Sequence, residues 1–323
     1  MNQKPISNRR RKRERKKKPT RVDCPYYKHK NYMIDRYGVP MFRVPIDLGF
    51  GCPNRNEDGS GGCTFCYEDG GRAEQTLIAN SVEEQISGGI AFARSRYSAT
   101  KFMAYIQAFT GTFASASEQR KVYEKLLREY PFDAVSIGTR PDCLSPETLE
   151  FLQELSQRLE VWVELGVQTT HDRTLERINR GHDWKSSKDA IIKLHDMGIM
   201  VAVHLMVGLP GENSADNIKT AEIIAELPID AVKIHNLHIM RGTELEREFK
   251  EAPFTIYAED EYAEIVIDML RRLPPDVAIM RINTDTPADR LIAPHWQMSK
   301  PAFINYVVNT MNKRDVRQGD LFT

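Results

Sequence analysis

Three of the five cysteines, Cys52, Cys63 and Cys66, fall within fifteen residues, on a loop that also holds five glycines between Gly49 and Gly62. Thiolates are the soft ligands that zinc and iron–sulfur clusters select, so this spacing points to a metal. Glycine tolerates positive φ and close backbone approach, as a loop folding around a bulky inorganic cluster requires. A structural zinc ion wants a fourth ligand nearby, and the loop offers none. Three thiolates on a four-metal cube leave one iron open, and an open position means chemistry rather than scaffolding. The alternative is a zinc knuckle completed by a remote Cys24 or His29. Cys24 and Cys143 are too isolated for a second cluster, and Cys143, just past Asp142, reads as a small buried hydrophobe.

The elements that must carry this loop are legible from periodicity. The loop follows an apolar run at residues 42–48. Further β-rich runs lie at 101–108, 134–139, 161–167, 199–207, 231–237 and 276–282. Between them the spacing predicts helices over 82–96, 115–130, 145–159, 171–179 with 186–197, 214–227 and 257–273. Ser81 and Ser145 stand where N-caps belong, Ser81 in a capping-box pattern. The strand runs are nearly continuous in apolar residues, as expected when helices cover both faces. Such alternation predicts an α/β fold, a partial (β/α)6-type TIM barrel of parallel strands with its chemistry at the C-terminal strand ends. The expected organisation is a disordered basic tail over 1–20, a core over 21–273, and a C-terminal extension over 274–323 that packs on the barrel.

On these residues the chain resembles the radical S-adenosylmethionine (SAM) superfamily, in particular the branch typified by Elongator's catalytic subunit. Cys52-x10-Cys63-x2-Cys66 is similar to that branch's stretched cysteine motif. Thr139-Arg140-Pro141-Asp142, Glu164-Leu-Gly-Val-Gln168, Arg180-Gly181-His182 and His204-Leu-Met-Val-Gly208-Leu-Pro-Gly resemble its later motifs. Gly138 stands where the branch has Glu, and His204 where related enzymes often have Asp. The resemblance implies a 4Fe–4S cluster on Cys52, Cys63 and Cys66, its fourth iron chelated by SAM. It implies a SAM pocket drawn from Arg140, Glu164, Gln168, Arg180, His204 and Gly208, with Arg180 toward the SAM carboxylate and the Gly208 segment against adenine. Reductive cleavage would give a 5′-deoxyadenosyl radical, fed by a reductant such as flavodoxin or ferredoxin. Physically these groups suit SAM, a zwitterion that needs a cation for its carboxylate and acceptors for its amine and ribose hydroxyls.

Composition bounds the partners. The 45 basic and 45 acidic side chains cancel, and 41% hydrophobic content suffices for a core, excluding collagen-like, disulfide-scaffold and fully disordered classes. Residues 1–18 hold ten basic side chains against one acid, leaving 35 against 44 in residues 19–323, net −9. A cationic tail on an acidic body suits polyanion binding. No apolar stretch reaches membrane-spanning length, no signal-peptide core follows the tail, and the odd cysteine count fits the cytoplasm. The Elongator resemblance implies tRNA as partner and the wobble uridine as substrate, for example carboxymethylaminomethyluridine converted to aminomethyluridine, as in short bacterial relatives. The residues after Leu273 are expected to be too few for that enzyme's acetyltransferase domain. Other readings are a radical enzyme acting on a small metabolite or protein, and a zinc-stabilised RNA-binding module. Tyr26, Tyr27, Tyr32 and Tyr37 suit either base stacking or a lid over the barrel. His195 reads as structural, and His235 as reaching the cavity.

Overall fold

The computed structural model describes residues 24–323; the disordered tail expected over 1–20 lies outside them. In chain order, α1 (His29–Tyr37) leads into β1 (Met41–Ile46). The cysteine loop and a short α2 (Glu74–Leu77) follow, then α3 (Val82–Tyr97) and β2 (Lys101–Ile106). Alternation continues through α4 (Ala116–Glu129), β3 (Ala134–Thr139), α5 (Pro146–Ser156) and β4 (Glu160–Gln168). Helices α6 (Asp172–Arg177) and α7 (Trp184–Asp196) precede β5 (Met200–Val207), and α8 (Ser214–Ala225) precedes β6 (Ala231–Asn236). Next come β7 (Ile239–Met240), α9 (Glu244–Glu251), α10 (Glu259–Arg272), β8 (Ala278–Arg281), β9 (Leu291–Ala293) and α11 (Lys300–Lys313). Among the described residues no helix is long and apolar enough to cross a membrane.

Seven parallel strands in the order β1-β2-β3-β4-β5-β6-β8 form one curled sheet, the expected partial barrel with one strand more than six. The extra strand, β8, comes from the segment expected to pack on the barrel as an extension; it pairs with β6 instead. Burial on both faces explains the continuous apolar runs: in β4 only the terminal residues are not fully buried. Caps start the helices where the sequence placed them. The Ser81 and Ser145 hydroxyls accept from the Glu84 and Thr148 amides, each cap contributing about 1 kcal/mol. Glu84 returns its carboxylate to the Asn80 amide rather than to Ser81, so the box is displaced by one residue.

The tyrosine run departs from both expectations. Tyr27, Tyr32 and Met33 pack beneath the barrel against Met103, Ala134, Trp162, Ala202, Ala231 and Ala278. Four of those wall residues are alanines near the N-terminal strand ends, too small to fill the barrel's base. The rings supply the missing volume, Tyr32 meeting Trp162 edge-on at 5.3 Å between centroids. These tyrosines are a floor at the end opposite the cysteine loop, so they neither lid the mouth nor stack bases. The sheet's two edges, β1 and β8, do not pair with each other. At the base, the Ile279 amide of β8 donates to the Tyr27 carbonyl at 2.7 Å.

Candidate active site

A cavity of about 540 Å³ opens at the C-terminal strand ends, lined by Cys52, Cys63, Cys66, Arg140, Glu164, Gln168, Arg180 and His204. Gly208 alone of the expected site residues stands outside its lining. It follows β5 at φ 96°, and a Cβ there would point toward Leu237 and Tyr257, so its place is in the turn.

At the cysteine end, the donors converge on sulfur. Arg180 Nη1 donates to Cys63 Sγ at 3.3 Å and Arg55 Nη2 to Cys66 Sγ at 3.5 Å. Asn54 Nδ2 points at Cys63 Sγ at 3.7 Å. N–H groups aimed at sulfur favour thiolate, the form that ligates metal. Burial pushes the Cys66 thiol up, with Arg55 pulling the other way. Among the described residues no three His, Cys, Asp or Glu side chains converge as a single-ion site; the thiols instead border one shared space.

The loop is locked from behind by the Arg180-Gly181 turn. Arg180 Nε and Nη2 both donate to the Gly166 carbonyl, at 3.1 and 2.6 Å. Any Cβ on Gly166 would sit 2.5 Å from that guanidinium, so a larger residue there would displace Arg180 from the carbonyl. Arg140 grips Asp142 with two bonds, at 2.9 and 2.7 Å, and donates to the Arg180 carbonyl at 2.7 Å. The Asn179 amide reaches the Gly62 carbonyl at 2.8 Å. Both arginines are buried and bonded to the chain itself. Gln168 differs: the β4 register shifts between Leu165 and Gln168, and its φ of 72° turns it into the cavity.

Further down the strands lies a polar belt to which every strand of the sheet contributes. Arg43 (β1), Tyr105 (β2), Ser136 (β3), Glu164 (β4), His204 (β5), Lys233 (β6) and Arg281 (β8) make it up. Glu164 is its hub. One carboxylate oxygen accepts from Arg43 at 2.9 Å and Ser136 at 2.6 Å; the other meets His204 at 2.7 Å and Lys233 at 3.1 Å. Lys233 also donates to the Tyr105 hydroxyl at 2.7 Å. Burial would raise the Glu164 pKa, but Arg43, Lys233 and the His204 bond hold it well below the usual range. A carboxylate has about four lone-pair sites, and the chain's own donors take them. Burial lowers Lys233 to about 8, against the pull of Glu164. Burial and Lys233 lower His204 to about 4, so it is neutral near pH 7.

Aromatic rings and cations border the mouth. Arg55 and Arg72 lie over the Phe109 ring at 5.8 and 5.7 Å, and Arg290 over Tyr67 at 4.7 Å. Ala108 and Phe109 have φ of 127° and 51°, sparsely populated backbone that turns β2's exit toward the cavity. His235 lines the cavity, as expected. Sequence reasoning missed Arg43, Tyr105, Ser136, Lys233 and Arg281 of the belt. For Arg43 and Lys233 the available signal was a lone charge within an apolar strand.

The chain matches known families and proteins over most of its length. The family model for the radical SAM superfamily matches residues 46–224, and that for the Radical_SAM C-terminal domain matches 229–313. Bacillus subtilis YtqA is 34% identical over 311 residues, covering 92% of each chain. The tRNA uridine(34) acetyltransferase of Methanocaldococcus jannaschii is 34% identical over 219 residues, spanning 66% of this chain and 39% of that one. The solved structure of Methanocaldococcus infernus Elp3 with an N-terminal deletion superposes with a TM-score of 0.67 at 22% identity, over 86% of this chain and 64% of that one. That likeness is one of fold.

Proposed function

The chain belongs to the radical SAM superfamily, and from that premise we propose that it modifies the wobble uridine of tRNA, converting a carboxymethylaminomethyl side chain to aminomethyl. The N–CH2 carbon would be oxidised by two electrons to an imine, which water splits into the aminomethyl product and glyoxylate, with SAM, consumed to methionine and 5′-deoxyadenosine, as the net oxidant. Enzymes of this family use a 4Fe–4S cluster and SAM. When bound, the pair supplies a 5′-deoxyadenosyl radical, which takes a hydrogen atom from a substrate carbon. The observation that carries an enzymatic reading is the set of three thiols on one cavity wall, two of them already receiving N–H donors.

In this reading Cys52, Cys63 and Cys66 hold the cluster, while Arg55, Asn54 and Arg180 keep the sulfurs anionic. Gln168 contacts SAM directly. Arg140 and Arg180 act as positioning residues, because their guanidinium groups are committed to Asp142 and to the backbone of Gly166 and Arg180. Glu164 and His204 are bonded to each other and set the charge of the belt. Flavodoxin or ferredoxin supplies the electron.

Three features support RNA as the partner: the 34% identity to an enzyme of uridine 34, the ten basic side chains of residues 1–18, and the mouth. Rings flanked by arginines there suit a splayed-out base, since every base offers a face to stack on. Mass spectrometry of tRNA nucleosides from a strain lacking the protein tests the reading. Accumulation of carboxymethylaminomethyluridine is the expected result. An unchanged nucleoside profile, with SAM still cleaved by the purified protein, would turn the reading to a small metabolite or a protein substrate.

A further inference from the structure

The cavity carries more positive charge than the chain neutralises. Lys233, Arg281 and Lys300 all line it, and Arg43 reaches Glu164 from β1. Facing these four cations are two carboxylates. Glu164 is shared by Arg43 and Lys233, at 2.9 and 3.1 Å. Asp285 stands 3.8 Å from Lys300, with its own side chain 65% exposed, an arrangement that contributes little. Arg281 makes no ion pair among the described residues; its guanidinium donates to the Thr284 hydroxyl at 3.1 Å.

The surplus is local. Residues 19–323 carry net −9, so the cavity is cationic inside an acidic body. Helix α11 adds to it: Lys300 opens the helix and the first turn holds no acid, the reverse of the usual complement to a helix N-terminus. The three cations share one cavity wall; burial lowers the Lys300 pKa, Arg281 and Lys233 lower it further, and Asp285 opposes them. Beside them His235 presents a buried Nε2 with no hydrogen-bond partner, its ring 5.5 Å from that of His204. Cations left mutually repelling in a partly desolvated cavity are an unfilled anion site.

We infer that Arg281 and Lys300, with Lys233 beneath them, seat a carboxylate carried by the substrate, and that the free His235 nitrogen meets a polar atom next to it. This rests on the wobble-uridine reading, in which the side chain to be shortened ends in a carboxylate beside the carbon to be attacked. A planar carboxylate matches the fork of Arg281. The seat makes the enzyme selective for the carboxylate form over the aminomethyl product.

The test is equilibrium binding under anaerobic conditions to cluster-loaded protein with SAM. Four probes are used: the nucleosides 5-carboxymethylaminomethyluridine and 5-aminomethyluridine, and anticodon stem-loop RNAs carrying each. Wild-type protein is expected to prefer the carboxylate form roughly tenfold or more in both formats. Arg281→Met and Lys300→Met should each remove most of that preference, and Arg281→Lys should restore part of it. Equal binding of the two stem-loops by wild-type protein would overturn the seat and leave the RNA reading standing. A preference among nucleosides that depends on Arg281, with no RNA binding, would support the seat and sink the RNA reading. Preference retained in the Arg281→Met, Lys300→Met double variant would overturn the assignment of these residues. So would displacement of the carboxylate nucleoside by equimolar inorganic phosphate, which would mark a phosphate site.

Discussion

The two ends of the cavity are built in opposite ways. At the cysteine end, a loop is held by hydrogen bonds to backbone carbonyls and sulfur, from Arg55, Asn179 and Arg180. At the belt end, seven side chains come one from each strand of the sheet, and four of them, Arg43, Ser136, His204 and Lys233, bond directly to the Glu164 carboxylate. A loop site needs glycine and local spacing, so it is compact in sequence. A belt needs the barrel to curl before its members meet, and they are scattered from Arg43 to Arg281. Compact sites tolerate sequence drift elsewhere, whereas the belt depends on all its strands at once.

If the ends are independent, damage at one should leave the other intact. Cys63→Ala is expected to abolish cluster absorbance and SAM cleavage while the protein stays folded. Retention of full iron content would remove Cys63 from the ligand set. Glu164→Gln should do the reverse, leaving the buried Lys233 and the part-buried Arg43 beside an uncharged partner at a cost of about 3–5 kcal/mol, while iron still loads. Denaturant titration measures it. Because the Glu164 pKa is lowered on folding, its stabilisation is present above the ordinary carboxylate range and fades as pH falls through the lowered value. The variant should therefore lose the part of the acid-induced destabilisation that wild type shows there, and an unchanged acid limb would mean that Glu164 is not the hub.

Gly166→Ala sharpens the boundary between the ends, since its Cβ would meet the Arg180 guanidinium at 2.5 Å. We expect a loss of about 1–3 kcal/mol and, because Arg180 contacts Cys63, an altered cluster EPR signal. A spectrum identical to wild type would separate Arg180 from the cluster. The smallest effect is expected at the floor. Tyr32→Phe removes one hydroxyl bonded to Glu160 at 3.2 Å and should cost about 0.5–1.5 kcal/mol, with iron content and SAM affinity unchanged. Any change in either would couple the floor to the site.

The legible and illegible parts of the sequence follow the same division. Strand positions were readable because both faces are buried, and the cysteine loop because its ligands lie close together. Arg180 was readable as important but not in its role: spacing cannot tell a guanidinium aimed at a ligand from one aimed at the Gly166 carbonyl. Lys233 and Arg281 were passed over because a single charge in an apolar strand gains meaning only from charges on neighbouring strands. Helices α1, α9 and α11 are not legible in the sequence: α1 and α11 lack a side-chain cap bond, and α9, although capped by Thr243, is only eight residues long, so tertiary packing rather than local propensity makes them helical. Strand β8 was seen as a strand but assigned to an extension, since nothing local says which sheet a strand joins.

The unpaired edges of the sheet have a mechanical consequence. Between every other pair of neighbouring strands, prying the wall apart would break a row of backbone hydrogen bonds. Between β1 and β8 there is no such row. A clasp at the base, where the Tyr27 carbonyl holds the Ile279 amide and Arg43 reaches Met280 sulfur at 3.4 Å, spans the gap. The wall thus has a seam, stitched at the bottom and unstitched toward the mouth. On the tRNA reading proposed above, a base could then enter beside the one joint of the described sheet that has no ladder to break.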